Sequence, residues 1–122
     1  MRLLLDTHTL IWWDEGKLPA AVVTRVQRAD EVFVSAASAW EIAIKSALGK
    51  IVVRGAVSDV LDDYGFIALP VQVRHADAVR ALPAHHRDPF DRLLVAQAID
   101  EGLAIVSKDP ELRRYAVRVL WA

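Results

Sequence analysis

Short, solid runs of apolar residues alternate along this chain with longer stretches of helical periodicity. Residues 2–5, 31–35, 66–69 and 103–106 are Leu-, Val- or Ile-rich runs of four or five, bounded by polar or turn residues, and they predict strands. Residues 117–120 form a fifth such run near the C-terminus. The spacing predicts helices over residues 9–13, 19–29, 37–48, 57–64, 73–82 and 89–101. Pro19 and Pro89 suit a first helical position, and Gly49, Gly65 and Gly102 suit the residue just past a last turn. Pro70 ends the strand before it and Pro83 the helix before it. Short apolar strands alternating with helices define an α/β domain whose mostly parallel sheet is covered on both faces. Such sheets bind ligands beyond the carboxyl ends of their strands.

Composition narrows the classes. The 122 residues suit one domain spanning 1–122, with enough chain for a core that needs no covalent staples. A hydrophobic share of 54% with 25% charged residues excludes intrinsic disorder. The absence of cysteine excludes disulfides, thiolate catalysis and Cys-built zinc sites, and it fits a reducing compartment. The first apolar run, Leu3 to Leu5, is too short for a signal-peptide core, and no run has the length of a membrane span, so a soluble, cytoplasmic protein is expected. Fifteen basic and 16 acidic residues leave a net charge of −1, so any contact with nucleic acid rests on local patches.

Four carboxylates fall where a parallel sheet would gather them. Asp6 directly follows the first strand, Asp109 closely follows the fourth, and Glu41 and Asp91 are each expected in the first turn of a helix. Each has a purely local explanation. Ser38-Ala39-Trp40-Glu41 fits a capping box, Asp88-Pro89-Phe90-Asp91 fits an N-cap with acids in the first turn, Asp109-Pro110-Glu111 repeats that pattern, and Asp6 can cap the helix after it. Against this, Asp91 heads an apolar stripe with Leu94, Val95 and Ala98, and Glu41 stands above Ile44 and Leu48. Carboxylates aimed inward are costly unless paired or bound to a cation. All-oxygen ligands suit Mg2+ or Mn2+, whose retained waters supply a nucleophile for phosphodiester hydrolysis.

Other residues offer weaker chemistry. His8, His75, His85 and His86 lack a His-x3-His spacing, and the adjacent pair cannot share a helix face, so they are expected in turns or on the surface. Lys45, Lys50, Arg87, Arg92 and Lys108 lie near the acids in sequence and are candidates to hold phosphates, or simply a solvated rim. Trp12, Trp13 and Trp40 are expected in core or interface positions, with base stacking as the alternative. The surplus of Trp and apolar residues points to a homodimer.

LLLDTH at 3–8, SAASAWEIAIKSALGKI at 35–51, HRDPFDRLLVAQA at 86–98 and IVSKDP at 105–110 together resemble the PIN-domain ribonucleases, most closely the VapC-like toxins of bacterial toxin–antitoxin pairs. The segments run in the family's order and span nearly the whole chain. The resemblance implies an α/β/α sandwich, divalent-metal-dependent endoribonuclease activity on RNA, and a cognate antitoxin that occludes the site. It carries over Asp6, Glu41 and Asp109 as metal carboxylates and catalytic residues. The third position in the family's order maps to Asp91, with Asp88 its rival three residues upstream. Ser107 stands where the family usually has Thr and keeps the hydroxyl. A phosphoryl-accepting receiver domain would need an acidic pair after the first strand, and a haloacid-dehalogenase-type phosphatase needs Asp-x-Asp. Here Asp6 is followed by Thr7 and His8. A binding-only module that had lost turnover would have little reason to keep all four acids.

Overall fold

The computed structural model describes residues 1–53 and 55–122. Five strands, β1 (Arg2–Leu5), β2 (Glu31–Ser35), β3 (Ile67–Leu69), β4 (Ala104–Ser107) and β5 (Val119–Trp121), form one sheet in the order β3-β2-β1-β4-β5. All four pairings are parallel. Six α-helices connect them: α1 (Thr7–Asp14), α2 (Ala20–Arg28), α3 (Ala36–Ala47), α4 (Val57–Tyr64), α5 (Val73–Ala78) and α6 (Pro89–Glu101). Short 3-10 segments follow α5, at Val79–Ala81, and β4, at Pro110–Arg114.

Strand alternation divides the core. Leu3, Leu5, Val32, Val34, Ala104, Val106 and Leu120 pack with Leu10 of α1, Val22 and Val26 of α2 and Ile42 of α3. Leu4, Phe33, Ile105 and Val119 face the opposite side and pack with Leu94, Val95 and Ala98 of α6 and with Leu112. The result is an α/β/α sandwich. The central strand β1 is buried except at Arg2, as expected where both faces of a parallel sheet are covered. The chain winds outward from β1 through β2 to β3, then restarts on the other side at β4. That reversal makes a crevice beyond the carboxyl ends of β1 and β4, where ligand sites form in this architecture. Leu5 sits opposite Val106 at that end.

Several boundaries differ from the sequence reading for local physical reasons. Pro19 is the N-cap of α2 rather than its first residue, with an extended ψ of 145°. The long helix expected over 73–82 is α5 plus the 3-10 segment Val79–Ala81. The last strand starts two residues later and ends one later than expected, and β4 begins at Ala104 rather than Leu103. Helix α3 starts at Ala36, capped by Ser35, whose Oγ accepts from the Ala37 amide at 3.0 Å. Ser38 therefore lies inside the helix and caps nothing, so the capping-box explanation of Glu41 fails. Glu41 sits in the second turn rather than the first, because the helix begins at Ala36. Ser35 Oγ also donates to Gln97 Oε1 at 2.6 Å, tying the head of α3 to the buried side of α6. Among the described residues, no helix is long and apolar enough to cross a membrane.

Candidate metal centre

The site forms at the crevice. Asp6 leaves β1 and caps α1, with Oδ1 accepting from the Thr9 amide at 2.8 Å. It is buried, and its Oδ2 has no hydrogen bond among the described residues. The next residue, Thr7, turns toward α3 and donates its hydroxyl to Glu41 Oε1 at 2.6 Å. Glu41 is only 2% exposed, and its Oε2 pairs with Lys45 one turn along. A buried carboxylate is thus held from two directions, by a hydroxyl and an ammonium.

Asp91 arrives from the head of α6. Asp88 caps that helix, with Oδ1 accepting from the amides of Phe90, at 2.8 Å, and of Asp91, at 3.2 Å. Asp91 heads the stripe of Leu94, Val95 and Ala98, all buried. Its carboxyl is pushed up to about 7, first by burial, then by the negative charges of Asp88 and Asp6 and, after a lowering contribution from His86, by that of Glu41. These carboxylates therefore share one electrostatic neighbourhood. Lys45, opposite Glu41, is raised chiefly by its bond to Glu41 and feels Asp88 and Asp91 as well.

Asp109 caps the 3-10 segment after β4, its Oδ1 accepting from the Glu111 amide at 2.9 Å. Ser107 Oγ accepts from the Asp109 amide at 3.0 Å, so the hydroxyl at this position shapes the turn. Asp109 Oδ2 lies 2.7 Å from His86 Nε2, and the same nitrogen lies 3.4 Å from Asp91 Oδ2. His86 is therefore no bystander on the surface, as its sequence setting suggested, but the link between two of the site acids. Adjacent histidines carry no periodic signal, and only the fold brings residue 86 to residue 109. His85 does keep to a bland role, edge-on to Tyr115 at 5.1 Å.

The remaining sequence candidates separate clearly. Arg92 is committed to backbone carbonyls, donating to Pro83 O at 2.8 Å and Val79 O at 3.0 Å, so it is not available for phosphate. Lys45 is committed to Glu41. Arg87, Lys50 and Lys108 are exposed and form no ion pair among the described residues. Trp13 packs on Tyr64 and Phe66, and Trp12 on Trp121 and His8. Trp40 is 62% exposed and meets the Phe90 ring at 5.5 Å, beside Glu41 and Asp91 in sequence.

The PIN-domain family model matches residues 3–118. The chain belongs to that family. Within it, the chain is 32% identical to Ribonuclease VapC22 of Mycobacterium tuberculosis, over 93% of this chain and 91% of that protein. Among solved structures it resembles VapBC2 from Rickettsia felis, bound to a DNA fragment from its promoter, with a TM-score of 0.71 and 13% identity over 98% of this chain and 97% of that one. It also resembles FitAcB from Neisseria gonorrhoeae, with a TM-score of 0.63 and 22% identity over 96% of this chain and 95% of that one.

Proposed function

We propose that the chain is a divalent-metal-dependent endoribonuclease, the VapC-like toxin of a toxin–antitoxin pair, with Asp6, Asp91 and Asp109 as metal ligands and Glu41 completing the pocket. Membership of the PIN family and the likeness to a protein named as a ribonuclease support RNA as substrate. The observation that carries the metal is the state of Asp91. Its carboxyl is raised to about 7, first by burial and then by the charges of Asp88, Asp6 and Glu41, so several acids crowd one partly buried pocket. The donors are oxygens, which fit a hard ion such as Mg2+ or Mn2+ better than a soft one. Such an ion would supply an activated water and offset charge on a phosphodiester.

The chain's own residues prepare this site. Asp6 is fixed by the α1 N-terminus, leaving one oxygen toward the crevice. Thr7 and Lys45 hold Glu41 in a fixed orientation. Arg87 and Lys108, exposed next to site residues, are placed to hold the flanking phosphates. An anionic pocket of this kind is also the natural target of an arginine or lysine, so a cognate antitoxin that inserts such a side chain would block the metal. The likeness to VapBC and FitAB assemblies supports that partner, and a homodimer is part of the same proposal.

The test is cleavage of a structured RNA by the purified chain in Mg2+, in Mn2+ and in EDTA, alone and co-expressed with the small reading frame neighbouring its gene. Cleavage in either metal, none in EDTA, and suppression in a stable complex are expected. Equal cleavage in EDTA would overturn the metal reading. A neighbour that neither co-purifies nor inhibits would overturn the toxin reading and leave the nuclease.

A further inference from the structure

His86 is held at three points. Its backbone amide donates to the Tyr115 hydroxyl at 2.8 Å, its Nδ1 accepts from the Asp88 amide at 3.0 Å, and its Nε2 lies 2.7 Å from Asp109 Oδ2. The tautomer follows from these contacts. A backbone amide can only donate, so Nδ1 uses its lone pair there and the neutral ring carries its hydrogen on Nε2. The ring therefore presents a proton to Asp109, not a lone pair, and in this pose Nε2 cannot ligate a metal. That N–H lies 3.4 Å from Asp91 Oδ2 as well, between the two carboxylates. A divalent ion held by these carboxylates would compete with the ring for them. The other oxygen of Asp109 already accepts from the Glu111 amide, so Oδ2 is the oxygen the two would contest.

We propose that His86 is a resident competitor of the metal: a positioning residue whose Nε2–H holds Asp109 Oδ2 in place of a cation and is displaced when a divalent ion takes that carboxylate. This rests on the reading that Asp91 and Asp109 take up a divalent ion. Metal affinity is then set partly by the cost of releasing the histidine, and the acid-rich site stays ordered without metal because its own chain supplies a donor.

The experiment is calorimetric titration of the intact chain with MnCl2 at fixed pH and without RNA, for wild type, His86→Ala, His86→Gln and the His86→Ala/Asp109→Asn double variant. His86→Ala should bind Mn2+ about tenfold more tightly, the factor that one hydrogen bond to a charged group corresponds to. His86→Gln keeps an N–H donor and should stay close to wild type, and the double variant should lose the gain. A second readout needs no substitution. In two-bond proton–nitrogen spectra of the wild type, the His86 Nε2–H resonance should leave its hydrogen-bonded position on saturation with Mg2+. Equal or weaker Mn2+ binding by His86→Ala, or a His86 resonance indifferent to Mg2+, overturns the competition. Absence of Mn2+ binding in wild type and variant alike overturns the metal reading itself, and this proposal with it.

Discussion

Helix α6 carries a histidine–carboxylate cluster at each end. At its head, His86 faces Asp91 and Asp109, and at its tail the fully buried His75 places Nε2 3.1 Å from both Asp100 Oδ2 and Glu101 Oε1. Each trio brings a histidine and two carboxylates close together, and in each the ring Nδ1 accepts from a backbone amide, so Nε2–H faces the acids. Their charge balance differs. At the tail, Arg74 donates to the same two oxygens, at 2.8 and 2.9 Å, and its bond to Asp100 holds that carboxyl below the usual carboxylate range. At the head, no arginine pairs with Asp91 among the described residues, and burial with neighbouring acids drives it up to about 7. Similar groups are therefore closed by an arginine in one place and, on the proposed reading, left to take a cation in the other. The clasp ties α5 to α6, and Gln97, which bonds Ser35 and the Pro70 carbonyl, extends that tie toward β2 and α3.

The largest expected effect tests which cluster is the working one. Asp6→Asn and Asp91→Asn should each lower RNA cleavage in Mg2+ by about 100-fold or more, the scale on which preorganised charged groups act. Asp100→Asn should leave it near wild type. Cleavage rates of the three purified variants on one RNA decide this, and a loss in Asp100→Asn matching that in Asp91→Asn would dissolve the contrast.

Next comes the pH dependence of the metal-free fold, where the clusters have opposite signs. Asp91 binds its proton more tightly folded than unfolded. The stability this brings is fully present below its ordinary value of 3.8 and is lost as pH rises to about 7. That span corresponds to a loss of order 4 kcal/mol. Asp100 behaves conversely: its contribution is present above the ordinary carboxylate range and fades as pH falls. Urea unfolding in EDTA between pH 4 and 8 should show wild type weakening as pH rises, and Asp91→Asn should largely abolish that slope. An unchanged slope in the variant would mean that Asp91 is an ordinary carboxylate at a helix start.

A smaller effect follows from metal linkage. Mg2+ at ten times its dissociation constant should stabilise wild type by about 1.4 kcal/mol, a rise of several degrees in melting temperature. Asp100→Asn should gain as much and Asp91→Asn less. Melting curves with EDTA and with Mg2+ compare them directly.

The smallest concerns the clasp itself. Arg74 is well exposed, so Arg74→Ala should lower stability only slightly. It should also leave Mg2+ stabilisation unchanged. Chemical denaturation checks the first expectation and the metal-shifted melts the second.

Much of this was legible in the residues. Solid apolar runs and helical periodicity located five strands and six helices, because the covered parallel sheet needs the runs and the amphipathic helices need the period. Asp91 stood out because Leu94, Val95 and Ala98 repeat beneath it on one helix face, and all three are buried. The order of motifs carried the family. Less legible was the exact helical phase at α3. Ser35 and Ser38 are both acceptable caps by chemistry, and the bond from Ser35 to Gln97 uses a residue sixty-two positions away.

Sequence alone thus determined the elements, the parallel α/β class, the four acids and the family, since each depends on neighbours within a few residues or on motif order. The tertiary structure alone decided which charges meet. It placed His86 on Asp109 across 23 residues, gave Thr7 to Glu41, withdrew Arg92 into backbone bonds, and closed Arg74 over one acidic pair while leaving the other open. The strength of an ionic or hydrogen-bonded contact is set by a few ångströms of separation and by burial, and neither quantity is written in the local pattern of a chain.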